Sequence, residues 1–396
     1  MGNEVGRQAE QAPQQLRSLR DHGLRSAVVL STRAGGSVKP TGAAANDERR
    51  SFRELYMLQD RIGIGSHSQV FRAVERATGR QVAVKAVDTD TGLWLESSRR
   101  RLAFLREEIS IHREVSEHPF VVDLLGVFED PEACFIVEEL AWGGSLLDHL
   151  HARSSMGTEG EVRLLLRRLL AALVFLHSRH IVHRDIKVGG ALQSRRGPEN
   201  ILVTEEGVMY SGKIGDFGFA TRIEQQQHAP AMAAPTTAVG TPEYVAPEIL
   251  LQQPFDGKAD VWSAGVTAFC LLSGTMPFRG LTLDKLYTAV LDGACSYAGA
   301  EWAGVSPRAQ DLVRRMLVVE QDERWDAERL LEHPWLAEEG ARPQPGVSRL
   351  GLRRRPRVKL KALALVLLFV NRLEKAARRR ACRSESSPLE QELGSP

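Results

Sequence analysis

Two aspartates, an asparagine and two lysines define the chemistry this chain could attempt. Asp185 and Lys187 lie in His183-Arg184-Asp185-Ile186-Lys187, Asn200 follows, and Asp216 opens Asp216-Phe217-Gly218. Lys85 stands far upstream in Ala83-Val84-Lys85. Phosphoryl transfer asks little covalent work of a protein. It needs a carboxylate to position the acceptor hydroxyl, cations on the phosphates and oxygen ligands for Mg²⁺. Asp185 suits the first role, Lys85 and Lys187 the second, Asn200 and Asp216 the third. Singly each residue is ordinary, since a loop Asp is most often a turn or cap residue. Their order along the chain carries the information.

A glycine-rich turn precedes them: Ile62-Gly63-Ile64-Gly65-Ser66-His67-Ser68-Gln69-Val70, between two β-like runs. Gly63 and Gly65 let backbone approach phosphate oxygens and offer N–H donors. A strand rather than a helix follows, so this is not the dinucleotide-binding fingerprint. The Lys85 amine, flanked by apolar residues, needs a counter-charge, which Glu107 or Glu108 could supply from the next helical stretch.

The elements that must position these residues are legible in outline. Val70–Ala73 and Gln81–Ala86 read as strands, and Arg99–Val115, Glu161–His177, Ala259–Leu272, Asp284–Leu291 and Pro307–Met316 as helices. A strand-rich part feeding a helix-rich part predicts an α+β, two-lobed body. Of 396 residues, 43% are hydrophobic, enough for an ordinary core. The net charge of +2 argues against a nucleic-acid-binding polycation. It hides an asymmetry: residues 341–396 carry +10 and the remainder −8, an acidic body with a basic tail. Cys134, Cys270, Cys295 and Cys382 form no C-x-x-C pair, which implies neither disulfide framework nor zinc site and fits a reducing, cytoplasmic setting. The longest apolar run, Ala362–Val370, is nine residues, against roughly twenty for a membrane span.

Together these segments resemble a eukaryotic protein kinase over about residues 56–336. Gly63-x-Gly65-x-x-Ser68-x-Val70 resembles the loop over ATP, with Ser in place of the third Gly, and Lys85 the strand lysine, with Glu108 as its partner. His183-Arg184-Asp185 matches the catalytic loop and Asp216-Phe217-Gly218 the metal-binding turn. Gly240 to Glu248 matches the end of the activation segment, Asp260 to Val266 the central helix, and Arg324 is placed to pair with Glu248. The resemblance implies a two-lobed kinase fold with domain 53–336, its small lobe about 53–140 and its large lobe about 141–336, between a disordered extension 1–52 and a basic regulatory tail 337–396. It further implies ATP and Mg²⁺ as cofactors and protein substrates with Ser or Thr acceptors, Lys187 being the Ser/Thr choice. Ile62 to Val70, Ala83, Lys85, Glu108, Glu139 and Ala141 would hold the nucleotide, Asn200 and Asp216 the metal. Asp185 and Lys187 would be catalytic. The Gly-Thr-Pro-Glu-Tyr wording, Ser68 and His333-Pro334-Trp335 point to the calcium/calmodulin-dependent group. There a phosphate on Thr237 would pair with Arg184.

Several features depart from the pattern. Val188–Gly197 intervene after Lys187, so Asp185 and Asn200 stand fifteen apart. The insert is either a bulge beside the substrate groove or intron sequence read as protein. If it disables transfer, the chain is a nucleotide-binding scaffold instead. Glu138 and His112 occupy positions usually apolar. In the tail, Leu360, Leu367 and Leu373 stand at relative positions 1, 8 and 14, a spacing that suits a calmodulin-like partner at 353–380. A helix on an anionic membrane surface and one docked on the kinase body are the alternatives. No EF-hand loop is present.

Overall fold

The computed structural model describes residues 28–30, 51–65, 68–89, 95–130, 133–153, 156–187, 200–223 and 242–337. The expectations placed on Ser66, His67, the 188–197 insert, Thr237 and the 353–380 tail lie outside these residues.

The small lobe is built from β1 (Val28–Leu30), α1 (Phe52–Leu55), β2 (Tyr56–Ile64), β3 (Ser68–Glu75), β4 (Gln81–Asp88), α2 (Leu95–Val115), β5 (Leu124–Glu129) and β6 (Ala133–Glu139). The strands form one antiparallel sheet in the order β1-β5-β6-β4-β3-β2. β1 falls within the extension expected to be mostly disordered, and its Val28 stands opposite Glu129 at the sheet edge. Three apolar residues are too few for a period to show, yet Val-Val-Leu is good strand material.

Strand alternation explains how the sheet serves the site. Side chains two apart share a face. Val82 and Val84 of β4, with Ala133, Phe135 and Val137 of β6, pack with Phe52, Tyr56 and Phe128 on one face. On the other, Cys134 and Ile136 pack with Leu105 and Ile109 of α2, and Val87 of β4 joins them. Lys85, two residues before Val87, therefore projects toward α2. Leu105, Glu108, Ile109 and His112 fall on one helical ridge, so the turn that buries Leu105 and Ile109 also delivers Glu108 to Lys85.

The large lobe contains α3 (Leu146–Arg153), α4 (Glu159–Ser178), β7 (Ile181–Val182), β8 (Ile201–Val203), β9 (Gly212–Ile214), β10 (Thr221–Arg222), α5 (Pro247–Leu250), α6 (Lys258–Ser273), α7 (Leu283–Leu291), α8 (Pro307–Met316), α9 (Ala327–Leu331) and α10 (Pro334–Ala337). α4 starts at Thr158, whose hydroxyl and the Glu161 carboxylate form a capping box. Its Leu165, Leu169, Leu173 and Leu176 stripe is fully buried. α6 is buried from Ala259 to Ser273, the mark of a central helix. Gly265 permits the close approach of α8, since a Cβ there would stand 2.8 Å from Met316 Cβ. Among the described residues no helix is long and apolar enough to cross a membrane.

Candidate active site

The β2–β3 hairpin carries Ile62, Gly63, Ile64, Gly65, Ser68, Gln69 and Val70. Gly65 N–H donates to the Ser68 carbonyl at 2.8 Å, and a Cβ on Gly65 would lie 2.6 Å from Ser68 Oγ, so a larger residue would require that hydroxyl to turn away. That bond closes the turn of the hairpin.

Below the hairpin, Lys85 Nζ donates to Glu108 Oε1 at 2.6 Å and to Asp216 Oδ1 at 3.0 Å. Glu107, the other candidate partner, meets Arg222 of β10 instead at 3.3 Å. Successive helical residues point about 100° apart, so only one of the two can face the sheet. Burial alone would lower the Lys85 pKa, but Asp216 and Glu108 outweigh it and hold the ammonium form. Burial likewise pulls Asp216 upward, yet Lys85 keeps its carboxyl at about 2.

Asp185 is 4% exposed and Lys187 3%. Lys187 Nζ donates to both Asp185 oxygens at 2.7 Å. Asn200 Nδ2 donates to the Asp185 carbonyl at 2.7 Å and to Oδ2 at 2.6 Å. The fifteen-residue separation is thus closed by direct hydrogen bonds. Both partners of Nδ2 are acceptors, which fixes the amide orientation and leaves Asn200 Oδ1 buried with no hydrogen-bond partner among the described residues. The β8–β9 hairpin brings Asp216 to the same place: Ile201 pairs with Ile214, and Gly215 N–H donates to the Asn200 carbonyl at 2.9 Å. Burial raises the Asp185 carboxyl from its ordinary value, against the pull of Lys187. That direction favours proton acceptance.

One clamp escaped the sequence reading. Asp260, at the start of α6, is fully buried. Its Oδ1 accepts from Arg184 N–H at 2.7 Å, while Oδ2 accepts from His183 N–H at 2.8 Å and His177 Nε2 at 3.0 Å. Burial would raise this carboxyl, but the His177 and His183 bonds hold it low. Arg184 has φ 65° and Asp216 φ 55°, a left-handed region costly for non-glycine residues. Asp260 pins the first of these turns. The signal was present in Asp260-Val261-Trp262, because a carboxylate that opens a largely apolar, buried helix must be paired. Arg184 Nε also donates to the Phe219 carbonyl at 2.7 Å, tying the catalytic turn to the segment after Asp216.

The strand-to-large-lobe connection completes the cleft. Glu139 directs its carboxylate to Lys213 Nζ and the Asp123 N–H, which pins the connection to β9. The Ala141 carbonyl accepts from Gly144 N–H, and Gly143 and Gly144 bond to Val203 of β8. Ala83, 8% exposed, sits on β4 two residues before Lys85. Any nucleotide contact from Glu139 or Ala141 is left to their backbone.

These features define a protein kinase, and the chain belongs to that family: the protein kinase domain matches residues 56–336. Among its relatives is a Serine/threonine-protein kinase H1 homolog of Danio rerio, 35% identical over 281 residues, which covers 71% of this chain and 61% of that protein. The human Serine/threonine-protein kinase H1 is 36% identical with the same coverage. Serine/threonine-protein kinase DCLK1 of Rattus norvegicus is 34% identical over 341 residues, 83% of this chain and 73% of the relative. The chain thus spans about three fifths of the length of the H1 proteins it matches.

Proposed function

We propose that this chain transfers the γ-phosphoryl group of ATP to Ser or Thr hydroxyls of protein substrates. The observation that carries this reading is the Asn200 amide bonded to Asp185 across the sequence interruption. Asp185 orients the acceptor hydroxyl and takes its proton. Lys187, in contact with both Asp185 oxygens, stabilises charge on the moving phosphoryl group. Lys85, held by Glu108, grips the α/β-phosphates. Asn200 and Asp216 would hold Mg²⁺, and the partnerless buried Oδ1 of Asn200 fits an oxygen ligand. Two protein oxygens plus phosphates are ordinary for this ion, which neutralises phosphate charge when bound. The relatives' names, all serine/threonine-protein kinases, support the acceptor class.

The test is direct. The full chain with Mg²⁺ and γ-labelled ATP is expected to label a basic Ser/Thr peptide and to leave its Tyr counterpart unlabelled. Nucleotide binding without label on any peptide would favour the scaffold reading.

Regulation belongs to the same proposal. Membership of the calcium/calmodulin-dependent group is supported by the Gly-Thr-Pro-Glu-Tyr wording. A phosphate on Thr237 would be drawn to Arg184, and the 353–380 segment to a calmodulin-like protein. A 353–380 peptide is expected to bind calmodulin with micromolar or tighter affinity in calcium and to be released by chelation. Absence of calcium-dependent binding at that concentration removes this partner.

A further inference from the structure

Helix α2 meets strand β6 through a polar contact set among apolar groups. His112 is 2% exposed, and the Glu138 side chain 14%. His112 Nε2 lies 2.8 Å from the Val122 carbonyl, which can only accept, so Nε2 carries a proton. Its other nitrogen, Nδ1, stands 3.6 Å from Glu138 Oε1. The His112 ring also packs on Phe217, centroids 4.8 Å apart, next to Asp216. His112 is one helical turn beyond Glu108, and Glu138 pairs in the sheet with Ala83, two residues before Lys85. One contact therefore touches the three elements that carry Lys85, Glu108 and Asp216.

We propose that His112 and Glu138 are positioning residues that share one proton and bridge α2 to β6, holding Lys85, Glu108 and Asp216 in the arrangement that grips a nucleotide. With Nε2–H given to Val122, one proton serves both remaining groups. It sits on Nδ1 facing a carboxylate, or on Glu138 facing a neutral imidazole, and either form is net neutral. Burial pushes Glu138 up to about 7 and His112 down to about 4, which favours the second form. The charges around the pair are Lys85 on β4, Glu108 on α2, Asp216 after β9, Asp123 before β5 and Glu139 on β6. Asp123 and Glu139 are paired with Lys213, whereas Glu108 and Asp216 both draw on Lys85, so an unshared negative charge on Glu138 would compete with them for that ammonium.

The inference rests on the kinase reading only for the identity of the ligand. Its test is MgATP affinity by calorimetry on the full chain, in wild type, His112→Leu, Glu138→Leu, the double variant and Glu138→Gln. Each Leu single is expected to weaken MgATP binding about tenfold, because it strands a buried polar group. The double variant, apolar at both positions, is expected to return to within about threefold of wild type, since contacting residues are non-additive. Glu138→Gln keeps an N–H facing Nδ1 and should match that recovery. Singles that bind like wild type, a double that falls by the product of the singles, or a Gln variant no better than Leu would each overturn the bridge. Thermal unfolding of every variant identifies a failed fold. If a Leu single fails, the double and Gln variants against wild type decide. A wild type that binds MgATP but transfers nothing sinks the transfer reading and leaves this cycle readable; one that binds no MgATP overturns the bridge as well.

Discussion

Asp185→Asn is expected to slow phosphoryl transfer about 10²–10⁴-fold while MgATP still binds. The carboxylate has two tasks that the amide cannot share. It accepts from Lys187 Nζ at both oxygens and from Asn200 Nδ2, and it is the proposed acceptor of the substrate proton. An amide keeps one acceptor oxygen and places an NH₂ against Lys187 or Asn200, both donors. Lys187, as buried as Asp185, then loses its counter-charge. A stability loss therefore accompanies the kinetic one, and the two must be separated. Turnover at saturating MgATP and peptide reports the chemistry, and the unfolding midpoint reports the packing. A variant that turns over within tenfold of wild type would remove Asp185 from its assigned role.

Arg324→Ala is expected to cost about 3–5 kcal/mol of stability, the range for breaking a buried ion pair by removing one member. The Arg324 side chain is 0% exposed and Glu248 3%. Its guanidinium donates to Glu248 Oε1 at 2.8 Å and Oε2 at 3.0 Å, and to the carbonyls of Val318, Val319 and Lys258. It also lies over the Trp262 ring at 4.9 Å. Alanine leaves a buried carboxylate alone and three carbonyls short of a donor. The denaturant midpoint measures this, with an unchanged slope showing that the unfolded reference has not moved. A loss below about 1 kcal/mol would class the pair with exposed salt bridges.

Elements of the fold differ in how plainly their residues announce them. α8 was readable to its bounds because Ser306 caps it, Pro307 suits the first turn and Ala309, Leu312, Val313 and Met316 keep the helical period. β6 was not, since Ala-Cys-Phe-Ile-Val is buried on both faces and has no alternation to reveal. At the site, residue types identified Lys85, Asp185, Asn200 and Asp216, and the structure brings them together. Glu108 and Glu107 were equivalent by composition; the resemblance favoured Glu108, and helical phase against the sheet gives the physical reason. The reach from Asp185 to Asn200 could not be judged from spacing, because sequence distance says nothing about where a loop returns. Asp260 was hidden inside an apolar helix.

Asn200 and Asp216 sit at the mouth of a single two-stranded ribbon, laced by the Gly215 to Asn200 bond. Their mutual spacing is therefore indifferent to chain length upstream of residue 200. Nature can lengthen or shorten the connection after Lys187 without detuning the pair of oxygens proposed to receive the cation. A change of length there would act on the reach from Asp185 to Asn200 and leave the separation of the two proposed ligands as it is.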